Sequence, residues 1–172
     1  DERPAGWSPA SPVYALFTSG STGRPKGVVI TGENLVNFLA AMRETFRPRP
    51  SDRFLAVATV AFDIAGLDFY LPLLSGASVH LATSEEVRDT PRLAALLSSS
   101  GATFMQATPS LWQGLVAQFP EALKGLRILV GAEAVPPALS RRMVELAAGV
   151  TNLYGPTETT VWSTSRTHRR GR

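Results

Sequence analysis

Short apolar runs alternate along this chain with longer segments in which apolar residues recur every three or four positions. The runs at 54–60, 127–130 and 150–154 are apolar over most of their length rather than at every second residue. Strands of that kind are buried on both faces, as in a parallel sheet that is covered by helices. The sequence therefore predicts an α/β fold, with a mostly parallel sheet and helices on both faces.

Individual elements follow from the same periodicity. We predict strands at 14–17, 28–30, 54–60, 78–81, 127–130, 150–154 and 160–165. We predict helices at 35–46, 67–74 and 137–147, and two more that begin at Thr90-Pro91 and Thr108-Pro109. In those two dipeptides a hydroxyl N-cap precedes a proline at the first helical position.

Composition excludes several classes of protein. The chain has 172 residues, of which 44% are hydrophobic, so it can form a packed core. The absence of cysteine excludes disulfides, thiolate zinc sites and a cysteine nucleophile. The net charge is only +3, and no aromatic residues interleave with the basic cluster at 166–172, which argues against nucleic-acid binding. No apolar run reaches membrane-spanning length, so we expect a cytoplasmic protein without membrane contact.

A segment rich in glycine and hydroxyl residues follows the first predicted strand. Its backbone N–H groups can converge on one anion, and its hydroxyls and lysine add donors and charge: Thr18, Ser19, Gly20, Ser21, Thr22, Gly23 and Lys26. A nucleotide-triphosphatase P-loop is excluded, because Pro25 and Gly27 occupy the positions of its second glycine and its Ser/Thr. A phosphate-binding loop and an ordinary turn between two strands remain open from composition alone.

A second polar motif spans residues 152–158, NLYGPTE. Tyr154 offers a flat ring for stacking a purine, Asn152 has an amide that can pair with an exocyclic amine, and Glu158 suits magnesium. The alternative is a Gly-Pro turn that closes a hairpin.

Together, TSGSTGRPKG and NLYGPTE resemble motifs of the adenylate-forming enzymes, in particular the amino-acid-activating domains of nonribosomal peptide synthetases. The resemblance covers residues 13–165 and implies a partial AMP-binding (adenylation) domain, from the large N-terminal domain of that fold. Residues 1–12 are then expected to be a linker or truncated edge, and 166–172 a truncated tail. The resemblance also implies ATP and Mg²⁺, a carrier-protein phosphopantetheine as acceptor, and carrier-protein and condensation domains of the same assembly line as partners.

The resemblance assigns roles to individual residues. The loop from Thr18 to Gly23, with Lys26, is expected to hold the β- and γ-phosphates, and Glu158 to bind Mg²⁺. Thr157 is expected to bond the α-phosphate or the substrate carboxylate. Residues expected to frame the adenine are Gly131, Ala132, Glu133, Asn152, Leu153, Tyr154 and Gly155. Ala132 stands where the family commonly has glycine, which we expect to alter no more than a backbone contact.

The resemblance also places an amino-acid pocket, in which Asp63 is expected to pair with the α-ammonium group. Its lining consists of Asp63, Ile64, Leu67, Gln106, Leu129, Gly131, Leu153, Val161 and Trp162, which is similar to the lining of glycine-activating domains. Bulky residues on the side-chain wall fit glycine and disfavour larger amino acids. The alternative for Asp63 is that it caps the following helix.

Two other functions stay open from the sequence. One is an acyl or aryl acid:CoA ligase of the same superfamily, although a neutral acyl chain gives a carboxylate at Asp63 no cation to meet. The other is a non-catalytic remnant. The chain lacks the family's ribose-binding aspartate, hinge and small domain with its adenylation lysine, so we expect these 172 residues alone to be inactive.

Overall fold

A six-stranded sheet forms the centre of the computed structural model, which describes residues 6–19 and 23–168. Its strands are β3 (Arg53–Ala56), β4 (Ser78–Leu81), β5 (Phe104–Ala107), β6 (Arg127–Val130), β7 (Gly149–Tyr154) and β8 (Thr164–His168). A separate antiparallel pair is formed by β1 (Pro12–Thr18) and β2 (Lys26–Thr31). The α-helices are α1 (Gly32–Phe46), α2 (Ala65–Leu74), α3 (Ser84–Arg88), α4 (Thr90–Ser100), α5 (Pro109–Gln118) and α6 (Pro137–Leu146).

The strands lie in the order β4-β3-β5-β6-β7-β8, and all neighbours are parallel except β7 and β8. From β3 the chain goes to β4 on one side, and then returns past β3 to β5 on the other. Ligands of open α/β sheets bind at such a switch point, beyond the carboxyl ends of the strands. The topology therefore favours a site near the ends of β3 and β5.

Both faces of the sheet carry a buried core. Leu55 and Ile128 pack on one face against helices α4, α5 and α6, in what we call the stabilising cluster. Phe54 and Leu129 pack on the other face against α1 and α2, in what we call the pocket cluster. Alternate residues of one strand thus enter different cores, because successive side chains point to opposite faces. The prediction of a mostly parallel sheet with helices on both faces is confirmed.

Two predicted strands have different bounds in the structure. β3 ends at Ala56, whereas the sequence predicted a strand to residue 60; its pairing with β4 ends at Ala56 and Leu81. Val60 is accordingly exposed. The strand predicted at 160–165 begins at Thr164, because Thr160 and Val161 adopt left-handed φ angles of 65° and 63° that reverse the chain. It then continues to His168, three residues into the predicted tail.

The prediction missed β5 and α3 altogether. β5 has four residues, one of them a glutamine, so neither its length nor its pattern marks it as a central strand. Helix α4 has Asp89 as its N-cap instead of Thr90, since the Asp89 carboxylate accepts a hydrogen bond from Arg92 N. The α5 start was predicted correctly, with Thr108 as N-cap. Among helices in the described ranges, none has both the length and the apolar character required to cross a membrane.

Candidate nucleotide and amino-acid site

A cavity of about 410 Å³ lies between the turn that follows β6 and the turn that follows β7. It is lined by Ala132, Glu133, Ala134, Val135, Asn152, Leu153, Tyr154, Gly155, Pro156 and Trp162. Most of the residues predicted to frame the adenine therefore meet around one cavity. The Tyr154 side chain is 69% exposed, so its ring face is accessible.

The turn after β6 is fixed by its own acidic residue. The Glu133 carboxylate accepts hydrogen bonds from the Ser110 hydroxyl at 2.7 Å and from Ser110 N at 3.3 Å, at the start of α5. A carboxylate is favourable at that end of a helix. Glu133 thus anchors the cavity wall to α5, in addition to lining the cavity.

Replacement of the family's usual glycine by Ala132 affects more than a backbone contact, because the φ of Ala132 is 68°, in the left-handed region. A left-handed residue with a Cβ costs roughly 1–2 kcal/mol. We expect Ala132→Gly to raise the free energy of unfolding by about 1 kcal/mol, measured by denaturant unfolding of the chain. Ala134→Gly is the matched control: Ala134 has no left-handed φ, so it should lose stability. Equal losses in both variants would contradict the assignment of strain to Ala132.

The phosphate-loop strand and the second motif meet directly. The Thr18 hydroxyl donates a hydrogen bond to Glu158 Oε1 at 3.0 Å, across 140 residues of sequence. Lys26 is the register partner of Thr18 in the β1–β2 pair, and Gly23 adopts a φ of 79° in the connection between them. Gly20, Ser21 and Thr22 lie outside the described residues.

A magnesium ion fits this arrangement. Mg²⁺ in proteins is commonly held by one or two carboxylates together with substrate phosphates, rather than by an all-protein cage. Glu158 and the Thr18 hydroxyl supply adjacent oxygens, and Thr157 lies beside Glu158 in a 3₁₀ turn at 157–159. Within the described ranges no group of three or more His, Asp or Glu side chains could hold a metal ion without such phosphates.

Asp63 lies between β3 and α2, and it does not act as the helix cap. The N-cap of α2 is Ile64, and no side-chain hydrogen bond caps this helix. The Asp63 Oδ2 atom is buried and has no hydrogen-bond partner. The Tyr14 hydroxyl is likewise buried without a partner. The pKa of Tyr14 is raised to about 12, mainly by burial and to a smaller extent by the charge of Asp63. The Tyr14 hydroxyl and the Asp63 carboxylate therefore lie near each other, and the hydroxyl and Oδ2 both lack a hydrogen-bond partner.

Gln106, in β5, connects the start of α2 to the segment before β8 through its amide. Its Nε2 donates to the Ile64 carbonyl oxygen at 2.8 Å and to Asp68 Oδ1 at 3.2 Å. Its Oε1 accepts from Trp162 Nε1 at 2.8 Å. The structure therefore brings the predicted pocket residues Ile64, Gln106 and Trp162 into one hydrogen-bonded group.

The remaining predicted wall residues pack around that group in the pocket cluster. They are Leu67, Leu129, Leu153 and Val161, each at most 2% exposed. Gly131 is required here: a Cβ at this position would lie 2.6 Å from the Leu153 carbonyl oxygen and 2.7 Å from the Trp162 ring. The indole thus lies directly against the backbone of the turn after β6, which leaves little room on this side.

Sequence reasoning missed two residues of this site, Asp68 and Tyr14. Asp68 falls on the apolar stripe of α2, between Leu67 and Leu71, and a charged residue at such a position is a readable signal. Tyr14 lies in the short apolar strand before the loop, where an aromatic residue gives no sign that its hydroxyl is unpaired.

Comparison with known proteins identifies the family of this chain. The AMP-binding enzyme family matches residues 1–172. A dimodular nonribosomal peptide synthase of Bacillus subtilis is 54% identical over 152 residues, which cover 88% of this chain and 6% of that protein.

Two solved structures have the same fold. The four-domain nonribosomal peptide synthetase holo-AB3403, bound to AMP and glycine, is 34% identical with a TM-score of 0.85, over 90% of this chain and 12% of that one. The synthetase FmoA3, bound to AMPPNP, is 30% identical with a TM-score of 0.84, over 92% and 18%. The chain thus spans a small part of these relatives. It belongs to the AMP-binding enzymes of the adenylate-forming superfamily, and corresponds to part of the N-terminal domain of a nonribosomal peptide synthetase adenylation unit.

Proposed function

We propose that this chain is the nucleotide- and amino-acid-binding part of a unit that activates glycine with ATP. The products are glycyl-adenylate and pyrophosphate, and the glycyl group then passes to the phosphopantetheine thiol of a carrier protein. Carrier-protein and condensation domains of the same assembly line are the proposed partners. The multidomain character of the relatives supports this context.

The observation that carries the proposal is the unpartnered, buried Oδ2 atom of Asp63. A buried carboxylate oxygen without a partner is unfavourable, and a cation that meets it recovers several kcal/mol. The α-ammonium group of an amino acid is such a cation, whereas fatty and aryl acids have none. Asp63 therefore favours amino-acid activation over an acyl or aryl acid:CoA ligase.

The chemistry requires two charged regions next to each other. A carboxylate oxygen of the amino acid bonds to the α-phosphorus of ATP, and the bond from that phosphorus to the pyrophosphate oxygen breaks. Positioning and charge stabilisation supply most of the catalysis in phosphoryl chemistry. Thr18, Ser19 and Lys26 are proposed to hold the leaving phosphates, with Gly20–Thr22 and Gly23 contributing N–H groups. Thr157 is proposed to bond the α-phosphate or the attacking carboxylate.

Glu158 and Thr18 are the proposed oxygen donors to Mg²⁺. When bound, that ion neutralises phosphate charge as pyrophosphate leaves. The hydrogen bond from Thr18 to Glu158 supports the assignment, because it keeps both oxygens at the phosphate end of the site.

The closed wall supports glycine as the substrate. Leu67 and Trp162 are 0% and 4% exposed, and the amide of Gln106 is fully engaged between Ile64, Asp68 and Trp162. A side chain on the substrate would have to displace these groups, and overpacking typically costs about 1–3 kcal/mol. Rejection of one extra carbon is limited to about 10–200-fold.

The proposal is tested by amino-acid-dependent ATP–pyrophosphate exchange with the longer protein that contains this chain. We expect glycine to give the highest kcat/KM, and alanine a value at least about tenfold lower. A higher value for alanine or any larger amino acid would contradict the assignment of glycine. An exchange rate that no amino acid increases would contradict the proposed function itself.

A further inference from the structure

Asp68 is the one fully buried acidic side chain among the described residues, at 1% exposure. It lies in the first turn of α2, and none of the ion pairs in the described ranges includes it. A lone carboxylate in such a place is costly, and burial raises the pKa of Asp68 well above its ordinary value. The other carboxyl oxygen of Asp68, Oδ2, is buried without a hydrogen-bond partner.

The donors and acceptors around Gln106 permit only one orientation of its amide. The indole N–H of Trp162 can only donate, so it must meet Oε1. The Ile64 carbonyl oxygen can only accept, so it must meet Nε2. The second Nε2 hydrogen then has Asp68 Oδ1 as its acceptor. Asp68 thus completes the hydrogen bonding of a buried amide that would otherwise keep one donor unsatisfied.

The hydrogen bonds of Gln106 connect Asp68 to two parts of the proposed amino-acid pocket. Trp162 is the indole that lies against Gly131, and Ile64 directly follows Asp63 in the chain. Loss of the acceptor at Asp68 would leave one Nε2 hydrogen of this amide buried and unsatisfied, which is costly. The amide would then be held less firmly against the indole and the Ile64 carbonyl group.

We infer that Asp68 is a positioning residue that holds Gln106 and thereby sets the size of the amino-acid pocket. This inference rests on the proposed function. Asp68 touches no reacting atom, so its removal should alter selectivity between glycine and alanine more than it alters nucleotide binding.

The test compares Asp68→Asn with Asp68→Leu in the longer protein. Asparagine keeps an uncharged acceptor oxygen for Gln106, and leucine has a similar size without one. We expect Asp68→Asn to stay within about twofold of the wild type in kcat/KM for glycine. We expect Asp68→Leu to raise the KM for glycine about tenfold, and the alanine-to-glycine ratio of kcat/KM about tenfold, which corresponds to one lost hydrogen bond. The Kd of AMPPNP should be unchanged in both variants.

Ser100→Ala is the matched control, because Ser100 is also buried and its Oγ atom also lacks a partner. It lies at the end of α4, a helix that packs in the stabilising cluster. The control variant should leave the alanine-to-glycine ratio unchanged. If Asp68→Leu fails to bind AMPPNP, Asp68→Ala replaces it, because it removes the acceptor without added bulk.

An alanine-to-glycine ratio that is the same in Asp68→Leu or Asp68→Ala as in the wild type would overturn the positioning role while leaving the proposed function intact. Absence of exchange with every amino acid in the wild type would overturn both.

Discussion

Asp63→Ala is expected to lower the rate of amino-acid-dependent ATP–pyrophosphate exchange by about a hundredfold or more, without weakening nucleotide binding. Removal of one partner from a buried charge pair typically costs about 2–5 kcal/mol, and the proposed partner of Asp63 is the α-ammonium group. Residues that line the cavity proposed to hold the adenine are not changed, so the Kd of AMPPNP should match that of the wild type. Exchange assays and equilibrium binding with the longer protein measure the two quantities separately.

Asp89→Ala is the matched control for a purely structural aspartate. Asp89 caps α4 through a hydrogen bond from Arg92 N, so its loss should cost about 1 kcal/mol of stability and leave exchange intact. Asp63→Ala should show the opposite pattern, because Asp63 caps no helix. Full exchange activity in Asp63→Ala would refute the proposed ammonium contact.

Gly155→Ala is expected to destabilise the chain by about 3 kcal/mol. A Cβ at Gly155 would lie 2.6 Å from each of three backbone atoms, namely Ser163 N, Trp162 Cα and the Val161 carbonyl oxygen. Backbone atoms cannot turn aside as the end of a side chain can, so the returning segment 161–163 would have to move away from β7. Trp162 would move with it, and the Gln106 hydrogen bond would be lost.

Gly149→Ala provides the comparison at the other end of β7, because a Cβ there meets no atom within 4 Å and the residue has no left-handed φ. It should be neutral or stabilising by a few tenths of a kcal/mol. Denaturant unfolding of both variants, read by tryptophan fluorescence, tests the difference. Equal free energies of unfolding would show that the segment 161–163 does not press on Gly155.

The parts of the fold that the sequence predicted well are those where the local pattern and the tertiary contacts agree. β6 was predicted with its observed bounds, because an apolar run at Ile128–Val130 follows Arg127 and ends directly before Gly131. β3 was predicted too long, because the end of a strand depends on where its neighbours stop, and those neighbours are distant in sequence.

The candidate site likewise combines features that the local sequence predicts with features that depend on distant contacts. The motifs around Thr18 and Glu158 are local in sequence, and the hydrogen bond between these two residues shows that the motifs meet in the fold. The role of Asp68 could not be predicted from α2 alone, because it depends on Gln106 in a strand that the sequence did not reveal. The role of a buried polar residue depends on its hydrogen-bond partners, and the partner of Asp68 lies on another element, β5.

The two cores on opposite faces of the sheet also bear on how such a chain can change. The stabilising cluster contains Leu93, Trp112 and Met143 and none of the predicted pocket residues, whereas the pocket cluster contains most of them. Mutations in the stabilising cluster can therefore add stability to the chain without changing the pocket cluster. That added stability can offset the loss that mutations in the pocket cluster cause. Substrate preference in this architecture is thus open to evolutionary drift, and to deliberate redesign, without rebuilding the sheet.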